Sequence, residues 1–475
     1  MSCPVTAGLT ERARPVERGA RIAWLDALRG FALLGILWAN VRQMFLPFDA
    51  GAYDVALGGS ERLAWLDWQV FHAVIDLKFI TLFSTLFGVS FALQAERLTA
   101  RGSGFSGTYV RRVLILALFG IAHGLFLYSA EVLLCYAIGG LLLLSMCNWS
   151  ADRLLRGGLA LLGVTLVWGY QISALGSVSV RITGICAVLI AAAIFLLWNR
   201  GWQVALVAWV VVLIASASVL TVRLEGASPE DALANDYQEG QLQLAAISGH
   251  ADAPAPQEWV VRKTGSFAAL VGLHLEQYAE LLFFIAIFLL WRTLALFMIG
   301  AGIYRSSLIA ASSPVLWSKV ARIGLGVGLL LSLVATWLQG REIHGLMDWR
   351  WPEFLHSFSA LPLAAGMAGL VFVLYHDPAQ RWLWRRIEAA GRMALTNYIG
   401  QSLVVAALAE SWGLGLYGCL NGVQMTAAAL AIYAILTEAS YRWLQRYRMG
   451  PLEWFWRCGT YWTWLPNRRA RRDAV

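Results

Sequence analysis

The chain has 475 residues, 59% of them hydrophobic and 14% charged, with 23 tryptophans and a mean hydropathy of +0.61. A soluble chain of ordinary composition carries about 25% charged residues, so these figures exclude a soluble domain and place the chain among integral membrane proteins. The net charge of +8 would suit a nucleic-acid binder, but the basic residues flank apolar segments, so they read as topology signals and lipid contacts.

The polar segment 1–21 is too long for the charged start of a signal peptide, and no small-x-small site follows the first apolar run. That run, "WLDALRGFALLGILWAN" (Trp24–Asn40), places Asp26 and Arg29 at i and i+3 on one helical face. Pairing lowers the cost of both charges near a membrane. Gly30 and Gly35 leave room for another helix or a ligand to approach the backbone, and Asn40 lies about 21 Å further along the axis. Asp26, Arg29 and Asn40 are therefore candidate ligand contacts, with helix packing as the alternative.

Segments of roughly 17 to 25 apolar residues suit a span. Such segments fall at roughly 22–41, 70–93, 111–128, 131–147, 154–174, 182–198, 203–222, 279–301, 323–339, 354–375, 394–410 and 424–443. The fold class expected is all-α, a polytopic bundle of about 10–12 transmembrane helices. The third and fourth segments read as a helical hairpin. The domains expected are a tail (1–21), an N-terminal bundle (22–222), an exterior insertion (223–275), a C-terminal bundle (276–444) and a basic, Trp-rich tail (445–475). Arginines cluster in 1–21, in alternate loops (Arg97, Arg101, Arg111, Arg112; Arg381, Arg385, Arg386, Arg392) and in the C-terminal tail. The positive-inside rule then puts both termini in the cytoplasm.

No GxSxG, Walker A or HExxH motif is present, so the ionisable residues of the spans carry the functional signal. His72, Asp76 and Lys78 cluster at the outer end of the second span, with His72 and Asp76 on one face. His123 and Glu131 flank the hairpin turn, with Tyr136 beyond, and suit a general base and its orienting acid. Arg292 lies inside an apolar run and must pair or meet an anion. His274, Glu276 and Glu280, and Glu353 with His356, mark the outer starts of later spans. The six cysteines are scattered, which predicts neither a disulfide framework nor a metal site.

The opening run resembles that of multispan acyltransferases, among them the lysosomal heparan-alpha-glucosaminide N-acetyltransferase group. The stretches "KFITLFSTLFG", "AHGLFLYSAEVLLCYAIGG", "WRTLALFMIGAGIYR", "GRMALTNYIGQS" and "GPLEWFWR" resemble the bacterial YeiB-like family, also called domain of unknown function 418. The resemblance implies acyl transfer from a cytoplasmic acyl-CoA, such as acetyl-CoA, to a small-molecule, glycan or lipid acceptor at the far side of a bacterial inner membrane. No tightly bound cofactor is implied. The implied partners are the lipid bilayer and the acceptor, with a homo-oligomer left open. The resemblance also implies a catalytic histidine. His72 is nearest in chain order and His123 matches the YeiB-like pattern better, although that pattern has Asp where this chain has Glu131. A transporter or flippase, with the same charges lining a path, is the alternative.

Overall fold

The computed structural model describes residues 22–46, 61–100, 105–172, 257–309, 313–343 and 350–469. Among them there is no strand, and the helices form an all-α bundle. In chain order they are α1 (Ala23–Phe45), α2 (Glu61–Val70), α3 (Lys78–Ala100), α4 (Phe105–Phe126), α5 (Leu133–Ser145), α6 (Ala151–Ile172), α7 (Gln257–Thr264) and α8 (Phe267–Phe284). Then come α9 (Leu290–Arg305), α10 (Pro314–Ile343), α11 (Arg350–Tyr375), α12 (Arg381–Arg392), α13 (Ala394–Ala409), α14 (Gly422–Arg446) and α15 (Pro451–Tyr461).

Six helical stretches among the described residues are long and apolar enough to cross a membrane, and α5 and α13 are shorter apolar helices. The protein is therefore a multi-pass helical membrane protein. The segments expected at 182–198 and 203–222, and most of the insertion 223–275, lie outside the described residues. Gln257–Thr264 and Phe267–Phe284 are helical, so the expected boundary at 275 falls inside α8. A π-helical turn at Ile285–Leu289 joins α8 to α9.

The segment expected as one span at 70–93 is broken. α2 runs into a π-helical turn over Phe71–Ile75, and Leu77 then adopts φ of +59°. A branched side chain in the left-handed region costs about 1–3 kcal/mol, so surrounding packing must hold this break. Ser332 helps by donating to the Ala73 carbonyl at 2.7 Å. Lys78 thereby starts a new 23-residue helix of about 34 Å.

Backbones approach closely at glycines. A Cβ on Gly30 would lie 2.0 Å from the Ile387 carbonyl oxygen, and one on Gly391 would lie 1.8 Å from the Asp26 oxygen. These two residues lock α1 against α12, whose buried face carries Trp384, Ile387, Ala389 and Ala390. Gly88 and Gly300 do the same for α3 and α9. The central core of Phe79, Tyr136, Phe297, Leu363 and Tyr398 ties these helices together. Among the described residues Cys135, Cys419 and Cys458 are free cysteines.

Candidate functional site

At the end where α1 begins, a cavity of about 300 Å³ opens between α1, α3, α4, α12, α13 and α15. Its mouth carries Arg29, Arg97, Arg112, Arg392 and Arg457 against two carboxylates, Asp26 and Glu453. Its body is apolar, with Leu86, Phe87, Phe91, Leu116 and Leu133, and it reaches Tyr136 and Tyr398. The local sequence explains several of these positions. The i,i+3 spacing brings Arg29 onto Asp26, and Arg29 Nη2 also donates to Ser90 Oγ on α3 at 2.9 Å. Pro451 follows Gly450 at the first turn of α15, where proline is preorganised for a helix start. The Glu453 carboxylate then accepts from the Thr396 backbone N–H at 2.9 Å and its hydroxyl at 2.5 Å, capping the start of α13.

Arg112 stands out in this wall. Its guanidinium stacks on the Trp456 ring at 3.8 Å, and the Trp456 indole donates to the Arg112 carbonyl at 2.7 Å. Stacking holds a guanidinium while leaving its edge donors directed at a planar or phosphate oxyanion. An arginine-rich mouth over an apolar body suits an amphiphilic anion, with charge outside and hydrocarbon within.

A polar stripe continues inward along α3. Ser84 Oγ lies 2.7 Å from the Tyr136 hydroxyl at the inner end of the cavity. One turn earlier, Thr81 Oγ1 accepts from Arg292 Nη2 at 3.0 Å. Another turn earlier, Lys78 Nζ donates to the His72 carbonyl at 2.7 Å and lies 3.1 Å from His356 Nδ1. The spacing 78, 81, 84 puts the three on one helical face. His72 Nδ1 lies 3.6 Å from Asp76 Oδ2. The structure thus brings together three separate sequence signals: the His72, Asp76 and Lys78 cluster, Arg292, and His356. His356 Nε2 is held by Gln339 Oε1 at 3.1 Å.

His123 and Glu131 do not form the expected pair. The Glu131 carboxylate accepts from the backbone N–H groups of Leu133 at 2.5 Å and Leu134 at 3.1 Å, and from the Tyr278 hydroxyl at 3.0 Å. It sits two residues before α5, where a carboxylate caps the exposed N–H groups and meets the positive end of the helix dipole. The His123 ring is buried outside the cavity, its centroid 5.1 Å from that of Tyr398, with no hydrogen bond to either nitrogen. Asn40 does not line the cavity. Glu131→Ala is expected to cost about 1–3 kcal/mol, the price of uncapping buried N–H groups. Thermal melting in detergent would check this, and unchanged melting would contradict a capping role.

Two buried clusters had no sequence signal beyond isolated charges. Arg262 bonds Glu258 at 2.8 Å, Glu410 at 2.8 Å and Gln277 at 3.0 Å, with His274 Nε2 at 3.3 Å. Arg42 pairs with Asp67, which also accepts from Thr426 Oγ1 at 2.7 Å. Glu410 and Thr426 reach these clusters from distant helices, so both read as clamps between helices.

The family described as "Protein of unknown function (DUF418)" matches residues 303–463. That stretch includes the cavity wall from α12, α13 and α15, but neither α1 nor α3. Longer similarity covers those helices. The chain is 26% identical to the uncharacterized protein YxaH of Bacillus subtilis (strain 168), over 95% of this chain and 97% of that one. It is 26% identical to the uncharacterized protein YeiB of Escherichia coli (strain K12), over 91% and 94% of the two chains. No solved structure matches.

Proposed function

We propose that this chain, similar to the DUF418 family over residues 303–463 and to YxaH and YeiB over most of its length, is a transmembrane acyltransferase of a bacterial inner membrane. The observation that carries this reading is the cavity with five arginines at its mouth and an apolar body. An acyl thioester of the CoA type has the matching chemistry: phosphates for Arg29 and Arg112, and an acyl chain for the apolar interior. In this reading the mouth is cytoplasmic, with both termini on that side, which the positive-inside rule supports. The acceptor then meets the donor towards the other end of α3, where Lys78, Arg292, His72 and His356 gather.

His72 is the general base in this reading, and Asp76 orients its ring. The ring nitrogen turned away from Asp76 takes the proton of an acceptor hydroxyl or amine. The acceptor oxygen or nitrogen bonds to the acyl carbon, the carbon–sulfur bond breaks, and the leaving thiolate takes the proton back from His72. The acyl carbonyl has to pass Tyr136 to get there. From Ser84 to Lys78 is about 9 Å along the helix.

The test is binding of acetyl-CoA and longer acyl-CoA to the purified chain. Arg112→Ala is expected to weaken it roughly tenfold or more, the equivalent of losing one charge-assisted hydrogen bond. Absence of acyl-CoA binding in the native chain would overturn the reading. A transporter is the second reading, favoured by the burial of Lys78 and Arg292, since intramembrane charges also line substrate paths. Substrate flux into liposomes containing no acyl donor would support it instead.

A further inference from the structure

Lys78 is fully buried and Arg292 is 4% exposed, yet neither makes an ion pair among the described residues. Lys78 bonds a carbonyl oxygen and an imidazole. Arg292 bonds one hydroxyl, and its Nε has no partner. Two carboxylates, Asp76 and Glu353, are close enough to interact electrostatically with both cations, but they do not touch them. Their exposure also differs: Asp76 keeps 31% of its side-chain surface and Glu353 is exposed.

Opposite charges in a poorly solvated interior are driven into contact, because desolvation is offset only by close pairing. Here the two cations are buried and the two carboxylates are more exposed. His72, 4% exposed, lies beside Asp76 with no hydrogen bond to either ring nitrogen.

We infer that this cluster is a binding site for a small polar molecule carrying both an oxyanion, carboxylate or phosphate, and a hydroxyl or amine. The oxyanion meets Lys78 and the Arg292 Nε edge, which supply the two positive donors it needs. The hydroxyl or amine lies against the His72 ring nitrogen turned away from Asp76, and this nitrogen accepts from it. Under the acyl-transfer reading on which this rests, the occupant is the acceptor: a hydroxy or amino acid, or a phosphate ester with a free hydroxyl.

The test needs no acyl transfer. The full chain in detergent is melted with increasing glycerol 3-phosphate, lactate or, as the uncharged control, glycerol. Glycerol 3-phosphate or lactate should raise the melting temperature saturably and glycerol should not. Whichever of the two acts identifies the oxyanion as phosphate or carboxylate. Lys78→Met and Arg292→Met should each weaken the response at least tenfold, and Arg292→Lys, which restores the charge, should recover part of it. Arg112→Ala should respond like the native chain, because that residue lies in the arginine-lined cavity and away from this cluster. No response of the native chain to either anion, or an equal response in folded Lys78→Met, would overturn the inference. Acyl-CoA binding that persists in that case would leave the acyl-transfer reading standing alone.

Discussion

In the proposed acyl transfer, replacing His72 with alanine is expected to lower the rate by roughly 10²–10⁴-fold, the range of a lost general base, with acyl-CoA binding unchanged. Single-turnover transfer to a hydroxyl or amine acceptor would measure it. The size of the effect follows from position. His72 lies beside Asp76 and faces the Lys78 cluster, so its removal takes the proton acceptor without touching the arginine-lined mouth. His123→Ala is expected to change transfer far less. That ring lies outside the cavity wall, and the acid expected to orient it is committed to the start of α5. The opposite outcome, with His123 essential and His72 dispensable, would move the chemistry to the far side of Tyr398.

Gly391→Val is expected to destabilise the fold as severely as any single change in α12. The added Cβ would meet the Asp26 carbonyl oxygen at 1.8 Å, and a backbone atom cannot rotate away. Overpacking costs typically about 1–3 kcal/mol and occasionally more; here two helix backbones must part, which puts the cost at the upper end. The lost contact also carries Asp26 and Arg29, so acyl-CoA binding should fall with the melting temperature. Gly400→Ala provides the contrast. Nothing lies within 4 Å of its added Cβ, and exchanging a helical glycine for alanine gains about 0.5–1 kcal/mol. Equal melting of the two variants would contradict the close approach of α1 and α12.

Features that depend on a few neighbouring residues were legible in the sequence. Apolar runs mark the helices because a bilayer-spanning backbone must satisfy its own hydrogen bonds. The Asp26–Arg29 pair follows from the 3.6-residue period; His72 and Asp76 also stay close, but across a π-helical turn. The hairpin of α4 and α5 follows from the short polar turn between two apolar runs. Glu131 shows where neighbourhood misleads. Its closeness to His123 in sequence suggests a dyad, while its place two residues before an apolar helix is an equally visible capping signal, and that one describes the structure.

What tertiary structure decided is everything that joins distant segments. Leu77 has no glycine or proline to announce a helix break; packing against α10 through Ser332 holds it. The partner of Lys78 is His356, and that of Arg292 is Thr81, each on another helix. The cavity takes its mouth from α1, α3, α4, α12 and α15, with Arg112 held by Trp456 from the C-terminal tail. Helix formation is a local balance that each segment carries in its own residues. Which faces meet depends on shape and charge summed over the whole bundle. For that reason the sequence by itself determined an all-α membrane protein with costly charges in its spans, and only the packed bundle decided that those charges gather in two separate clusters at opposite ends of α3.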